Sequence, residues 1–372
     1  MREFPWLVAG GSAGKNLPIR GADEPSFTIK AGNETHRVLY EDGTVARLNG
    51  RHLARLMGVE DGFRLPKSNT LARIVLGNGL PPRLLDTLVR PMLSGVRCTV
   101  GCTVSADYRI PFLDLFCGAG VGTYGLRDVA RKVAGIEVDA RIAPVHRLNY
   151  PEAETILAPV QDVDYSRFEG VEWLHASPVC KRFSVAKSGG TRLKDGTRIR
   201  HEAGGEQELD IVTAGATVDA IRALMPRWVT IENVPAYKDS DALGLIMEEL
   251  NPHYYVNLGV YEAAEYGTPQ NRKRLIVRAD LERPVPLVEP TTPEPASWWD
   301  AVEDLADSMT TTKLAAWQWP RILPEGTPWM RCPSCEDYLC TACPGELHVA
   351  DCACPSLEVW SAAGRYPYKE GE

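Results

Sequence analysis

Several things are missing from this 372-residue chain. No apolar run approaches the roughly 18 residues needed to span a bilayer, so no membrane span is predicted. The first residues, Met1-Arg2-Glu3-Phe4-Pro5-Trp6, lack the charged-then-apolar layout of a signal peptide, and a cytoplasmic location is the expectation. Bulk positive charge is also missing. A net charge of −8 argues against non-specific nucleic-acid affinity, though not against a local basic groove, because binding follows where charges sit. Cysteine is present, but not in the layout of a secreted disulfide scaffold. Ten cysteines occur, and Cys332, Cys335, Cys340, Cys343, Cys352 and Cys354 crowd together near one end. In an intracellular chain such clustering favours metal binding over disulfides.

What is present is long enough for two domains, or one large domain with an appendage. Residues 1–35 show little regular pattern beyond a short strand candidate over Ser26-Phe27-Thr28-Ile29. Between Arg47 and Gly58, Leu53, Leu56 and Met57 recur at helical spacing, with Gly58 as the stop. Gly77-Asn78-Gly79 reads as a turn leading into Pro81-Pro82, and Pro suits the first turn of a helix predicted from Pro82 to about Leu93. Residues 94–109 form a connector in which Cys98 and Cys102 receive no role.

From Ile110 onward the pattern is α/β. A strand from Ile110 to Phe116 is followed by the glycine turn Cys117-Gly118-Ala119-Gly120-Val121-Gly122. A helix is expected from Thr123 to Val133, then a second strand from Val133 to Val138 with acids at Glu137 and Asp139. Strand, glycine turn, helix, strand and acid form the nucleotide-cofactor layout. The G-x-G-x-G spacing differs from the G-x-G-x-x-G that suits pyrophosphate, which favours S-adenosylmethionine over a nicotinamide cofactor. A strand over 156–160 ends near Asp162, a second acid that either bonds an adenine amine or decorates a solvated turn.

A further apolar run, Val171 to Ala176, is broken by Pro178, and Cys180 follows. This arrangement presents a thiol at the carboxyl edge of a sheet, where open α/β folds bind ligands. Taken alone, such a Cys is more often a buried apolar residue. Seven basic residues between Lys181 and Arg200 oppose one acid, Asp195. They read either as a solvated loop or as a phosphate-tracking lid over Cys180. A helix is expected over 207–225. The strand beginning at Trp228 ends in Glu232-Asn233, which puts a carboxylate on the same edge as Cys180. Strands follow over 254–260 and 275–279, the second preceded by Gln270-Asn271-Arg272-Lys273-Arg274, and a helix candidate lies at 296–305.

Together, Asp114-Leu115-Phe116 with the glycine turn, Ser177-Pro178-Val179-Cys180, Glu232-Asn233-Val234 and Gln270 to Arg274 resemble the cytosine-5 DNA methyltransferase family. Gly77-Asn78 with Pro81-Pro82 resembles its final motif, and Arg51 to Gly58 its penultimate one. The resemblance covers about residues 36–93 and 110–279. Its motif order departs from the family, because the Gly-Asn motif comes first here. That order reads as a circular permutation, tolerated where termini lie close together at the surface. A second departure is Val179 and Lys181 around the Cys, where many members carry Pro-Pro-Cys-Gln.

The resemblance implies an α/β fold with a doubly wound, mostly parallel sheet (class I S-adenosylmethionine-dependent methyltransferase fold) and a small, split, zinc-containing recognition domain. Residues 1–46 and 280–372 would form that domain. Residues 47–93 would carry the permuted motifs, 94–109 the connector and 110–279 the catalytic domain. It further implies methyl transfer to carbon 5 of a flipped-out cytosine in double-stranded DNA, within a specific site and in the setting of restriction–modification. Cys180 would be the nucleophile, Glu232 the ring-nitrogen partner, and Arg272 and Arg274 the residues that hold the base and brace the site. Phe116, Gly118, Gly120, Glu137, Asp162 and Asn78 would line the S-adenosylmethionine site, and the protein is expected to be a monomer.

The tail spacing C-x2-C-x4-C-x2-C, with His348, Cys352 and Cys354 beyond, resembles a zinc site with a tight middle gap. An iron–sulfur cluster and metal-free thiols are the alternatives. Three other functions stay open at this level: an RNA cytosine-5 methyltransferase, a catalytically silent nucleic-acid-binding homologue, and a nicotinamide dehydrogenase. The last leaves the Cys and arginine motifs unexplained.

Overall fold

The computed structural model describes residues 5–10, 19–32, 35–40, 44–93, 108–179 and 208–312, together with the backbone of 191–192 and 198–199. Cys180, the basic segment after it apart from those two backbone pairs, Cys98, Cys102, and the tail with His348 and its six cysteines lie outside the described residues.

In chain order the elements are β1 (Trp6–Gly10), β2 (Ile19–Arg20), β3 (Thr35–Leu39), β4 (Val45–Arg47), α1 (Gly50–Leu56), α2 (Asn69–Asn78), α3 (Pro82–Leu93), β5 (Ile110–Leu115) and β6 (Ala130–Glu137). Then come α4 (Ala143–Asn149), β7 (Glu154–Leu157), β8 (Trp173–Ala176), β9 (Thr191–Arg192), β10 (Arg198–Ile199) and α5 (Glu208–Leu224). The last are β11 (Trp228–Asn233), α6 (Asp241–Leu250), β12 (Tyr255–Glu262), β13 (Lys273–Asp280) and β14 (Thr310–Thr312).

Seven strands form the main sheet, in the order β12-β13-β11-β8-β5-β6-β7. Pairing is parallel from β11 through β7, and antiparallel where β13 joins β11 and β12. Parallel strands are covered on both faces, and the central ones are accordingly buried end to end: all four residues of β8 and all six of β11. On one face α5 and α6 bring Ala214, Ile221, Leu243 and Ile246 onto Leu113, Leu174, Val229 and Val277. On the other, α3 lays Leu84, Leu85, Leu88 and Val89 on Phe112, Trp173, Trp228 and Ile276. Each fully buried aliphatic side chain of α3 contributes about 1.5–3 kcal/mol relative to exposure.

A second, antiparallel sheet has the order β14-β4-β3-β1-β2, so its strands come from near both ends of the chain. It packs with α1 and α2 over one core of Leu7, Val38, Leu53, Met57, Phe63 and Leu76. That core continues into Val121 and Tyr124 beside the glycine turn. Trp298 closes it from the C-terminal side, fully buried, its indole Nε1 donating to the Gly21 carbonyl at 2.6 Å.

Several expectations differ from what forms. Residues 123–133 are not a helix. A short 3₁₀ turn over Gly122–Leu126 carries the chain round, and residues from Ala130 pair with β5 instead. Gly122 and Gly125 disfavour a full helix there. Ser26 to Ile29 makes only an isolated bridge, Ser26 to Gln270. Around 296–305 the chain forms turns and a 3₁₀ segment at Glu303–Ser308, because Trp298 and Trp299 are drawn to Glu24 and Ala22 by backbone bonds.

Buried histidines make the fold acid-sensitive. His36 is pushed down to about 4, chiefly by burial and then by the nearby Arg73 and Lys30 charges. His146 is pushed down to about 3, by burial and then by Lys132. Both rings stay neutral in the folded chain while an unfolded histidine takes up a proton below about pH 6.5. The unfolded state therefore binds more protons in that window, and stability falls as pH falls. Urea denaturation at pH 6.5 and pH 5 is expected to show a loss of about 2 kcal/mol for each of the two histidines.

Candidate active site

The carboxyl ends of β5, β6, β7, β8 and β11 meet along one edge of the main sheet, and Phe116, Gly118, Gly120, Glu137 and Glu232 lie there. β5 hands over to Phe116, a non-glycine residue held at φ 58°. Gly118 follows at φ 55° and Gly120 at φ 78°, conformations that carry little cost only without a Cβ. The two glycines face different surroundings. A Cβ on Gly118 would meet nothing within 4 Å, whereas one on Gly120 would come within 2.2 Å of the Tyr150 ring. One side of the turn is open to a ligand and the other is pressed against the protein.

Glu137 ends β6. Its carboxylate accepts the Asp139 N–H at 2.6 Å. Burial raises its pKa, and the backbone N–H groups of Asp139 and Gly118 oppose that rise. Asp162 ends a 3₁₀ turn after β7 and is exposed. Asn78 is the last residue of α2, exposed, with the Gly79 that follows packed against Val121 of the glycine turn. The helix over 69–78 escaped the sequence reading, which took Gly77-Asn78-Gly79 as a free turn. Ser68 as N-cap was the available signal.

β8 is followed by Ser177-Pro178-Val179, directly before Cys180. Ser177 N–H donates to the Leu115 carbonyl at 3.3 Å, and Asn233 Nδ2 donates to the Pro178 carbonyl at 3.1 Å. The amide at the end of β11 thus fixes the backbone two residues ahead of the thiol. Beside it, Glu232 is buried and pairs through Oε1 with Arg274 Nε at 2.7 Å. The register Asn233 to Leu275 between β11 and β13 sets this contact. A buried carboxylate needs such a partner.

Arg272 sits elsewhere in the same constellation. It is 1 % exposed, and its Nη1 donates to the Ile29 carbonyl at 2.8 Å. Its Nη2 donates to the carbonyls of Gly77 at 2.7 Å and Gly79 at 2.8 Å. Burial, then the neighbouring Arg274 charge, lowers its pKa well below the usual guanidinium range. Gly77 lies so close to Lys30 and Ala31 that a Cβ would come within 2.2 Å of the Ala31 nitrogen. Arg272 therefore ties the 29–31 segment and the end of α2 to β13. Replacing it by Met leaves three buried carbonyls without their charged donor. The expected cost is about 3 kcal/mol, a fall of roughly 4 °C in melting temperature by differential scanning fluorimetry.

The sequence reading also passed over a polar group beneath the turn. Asp114 and Lys132 form a buried ion pair at 2.7 Å, with Thr123, His146 and Tyr150 around it. A single Lys within the apolar run of β6 was the signal.

A profile described as C-5 cytosine-specific DNA methylase matches residues 110–319. The type II methyltransferase M1.HgaI of Avibacterium volantium is 26% identical over 183 residues, covering 45% of this chain and 48% of that protein. The type II methyltransferase M.XorII of Xanthomonas oryzae pv. oryzae is 27% identical over 217 residues, covering 56% of this chain and 49% of that protein. The chain thus spans about half the length of these curated relatives. Among solved structures, a putative DNA modification methyltransferase encoded within an E. coli prophage aligns over 52% of this chain and 54% of its own, at 17% identity and a TM-score of 0.42. The profile match takes in β5 to β14, more than half of the residues, with the glycine turn, Glu232, Asn233 and both arginines inside it, and the chain belongs to the C-5 cytosine-specific DNA methylase family.

Proposed function

We propose that the protein methylates carbon 5 of a cytosine in double-stranded DNA, within a specific site, with S-adenosylmethionine as donor. The observation that carries this reading is the Glu232–Arg274 pair, buried at the sheet edge beside the Asn233-clamped chain that leads into Cys180. The family match and the type II relatives support it.

The residues of the turn fit the donor. Gly118 leaves an open face on a backbone that only a small residue adopts easily, and Glu137 stands ready at the end of the next strand for ribose hydroxyls. Phe116, Gly120, Asp162 and Asn78 complete the proposed lining. Bound there, S-adenosylmethionine supplies an electrophilic methyl group.

The chain's own groups prepare the base. The Cys180 thiolate adds to carbon 6, forming the S–C bond and sending the ring π electrons toward carbon 5. The basic residues around it favour the thiolate. Glu232 accepts a hydrogen bond from the exocyclic amine and, as the carboxylic acid, passes its proton to the ring nitrogen as negative charge builds there, while Arg274 holds the carboxyl group in place. After carbon 5 accepts the methyl group, loss of its proton and departure of the thiolate restore the aromatic ring. The base must leave the stack to reach these groups, at a cost of a few kcal/mol.

The Cys-rich tail is proposed to hold zinc, on the spacing of Cys332, Cys335, Cys340 and Cys343 with His348, Cys352 and Cys354. Metal analysis of the purified full chain tests it, and finding neither zinc nor iron removes it. For the reaction, bisulfite sequencing of DNA from cells expressing the protein is the test. Protected cytosines recurring in one sequence context are the expected result. Methylation of transfer RNA with DNA left unmodified would instead establish the RNA reading.

A further inference from the structure

The buried polar group beneath the glycine turn is not used by the proposed reaction, yet it is bonded throughout. Lys132 is 1 % exposed in the middle of β6. Its ammonium has three donors and finds three partners. Asp114 Oδ2 lies at 2.7 Å and His146 Nε2 at 3.2 Å, and the Tyr150 ring centroid is 3.6 Å away. Because Lys132 donates to Nε2, the neutral His146 carries its proton on Nδ1, which faces Thr155 Oγ1 at 2.8 Å. His146 also stacks on Tyr150, with ring centroids 5.0 Å apart and planes 16° apart. The Tyr150 hydroxyl in turn donates to the Gly120 carbonyl at 2.7 Å. Thr123 Oγ1 bridges the remainder, 3.0 Å from that hydroxyl and 3.1 Å from Asp114 Oδ2.

This group touches the turn only on its inner side. A Cβ on Gly120 would meet Lys132 Nζ at 3.0 Å as well as the Tyr150 ring, whereas the Gly118 side is open. Rigid support on the inner side and free space on the outer side is what a preorganised ligand cradle requires, since backbone already held in the bound shape loses less entropy on binding. We propose that Tyr150 and Lys132 are positioning residues for the donor: they lock Gly120 so that the open Gly118 face keeps the shape that binds S-adenosylmethionine. The inference rests on the donor site proposed above.

The test uses the full chain and isothermal titration calorimetry with S-adenosylmethionine. Tyr150→Phe keeps the ring and removes only the hydroxyl bonded to Gly120. Its dissociation constant for S-adenosylmethionine is expected to rise about five- to tenfold, the net worth of one buried hydrogen bond. A matched control is Tyr254→Phe, which loses an equivalent buried bond to the Pro226 carbonyl, 2.8 Å long, where β11 and β12 begin, at the opposite edge of the sheet from the turn. That variant should bind the donor as the unaltered protein does, with a comparable fall in melting temperature. Thr123→Val, which detaches the hydroxyl bridge, should weaken donor binding in the same direction if Tyr150→Phe proves too unstable to titrate. Unchanged donor affinity in a folded Tyr150→Phe protein overturns the inference, as does equal weakening in Tyr254→Phe. If the unaltered protein shows no heat of binding with S-adenosylmethionine, the donor-site reading itself fails and the inference falls with it.

Discussion

Replacing Cys180 by Ala should lower methyl transfer by at least about a thousandfold, measured as tritiated methyl groups incorporated into duplex DNA. The expectation follows from the chemistry of the base. Carbon 5 of cytosine is too weak a nucleophile to take a methyl group unaided, and only a covalent addition at carbon 6 raises its electron density enough. Serine presents an oxygen whose pKa lies far above that of a thiol, so Cys180→Ser should fall almost as far. Neither variant touches the clamp on the chain ahead of it, Asn233 to the Pro178 carbonyl. The melting temperature should therefore stay within a degree or two while activity collapses. A catalytically silent binding protein would show no methyl transfer in the unaltered chain, and so no difference between it and the variant.

Glu232→Gln carries the second largest effect, a loss of about a hundred- to a thousandfold in kcat. The amide keeps the shape of the carboxyl group but has no proton to pass to the ring nitrogen as negative charge builds there during addition. It also leaves the Arg274 guanidinium, 11% exposed, without its counter-ion at 2.7 Å. Some stability should go with it, about 1–3 kcal/mol for an unbalanced buried charge. Arg274→Met breaks the same pair from the other side and strands the carboxylate instead. Measured together, the single and double variants form a cycle whose coupling energy separates pairing from catalysis. If Glu232 serves only to neutralise Arg274, the double variant should recover both stability and turnover. Recovery of stability alone is expected.

Much of the fold was legible because local signals agreed with the eventual packing. α3 runs from Pro82 to Leu93 as read, since Pro opens it and its leucines fall on the face that meets the sheet. The strands that end in Asp114-Leu115, Ala176 and Glu232-Asn233 declare themselves as short apolar runs, as doubly covered parallel strands do. The segment after the glycine turn misled because its apolar residues suit a helix, while pairing with β5 from Ala130 onward decides the outcome. Tertiary partners explain the other gaps. Arg272 read as a base-holding residue, yet its guanidinium bonds carbonyls 193 to 243 residues away, which no local pattern reveals. The Glu232–Arg274 pair was foreseeable as two residues on one edge. Their 2.7 Å contact depends on an antiparallel register that the sequence does not announce.

The small sheet has a consequence for synthesis. Its strands β1 to β4 leave the ribosome well before β14 and Trp298, which complete the sheet and close its core some 250 residues later. At about 5–20 residues per second that interval is roughly 12 to 50 s. During it Leu7, Val38 and Met57 have no finished core to occupy, and Ile29 waits for Arg272. The nascent chain therefore carries this core unclosed, without Trp298 and Val302, while the parallel sheet assembles behind it.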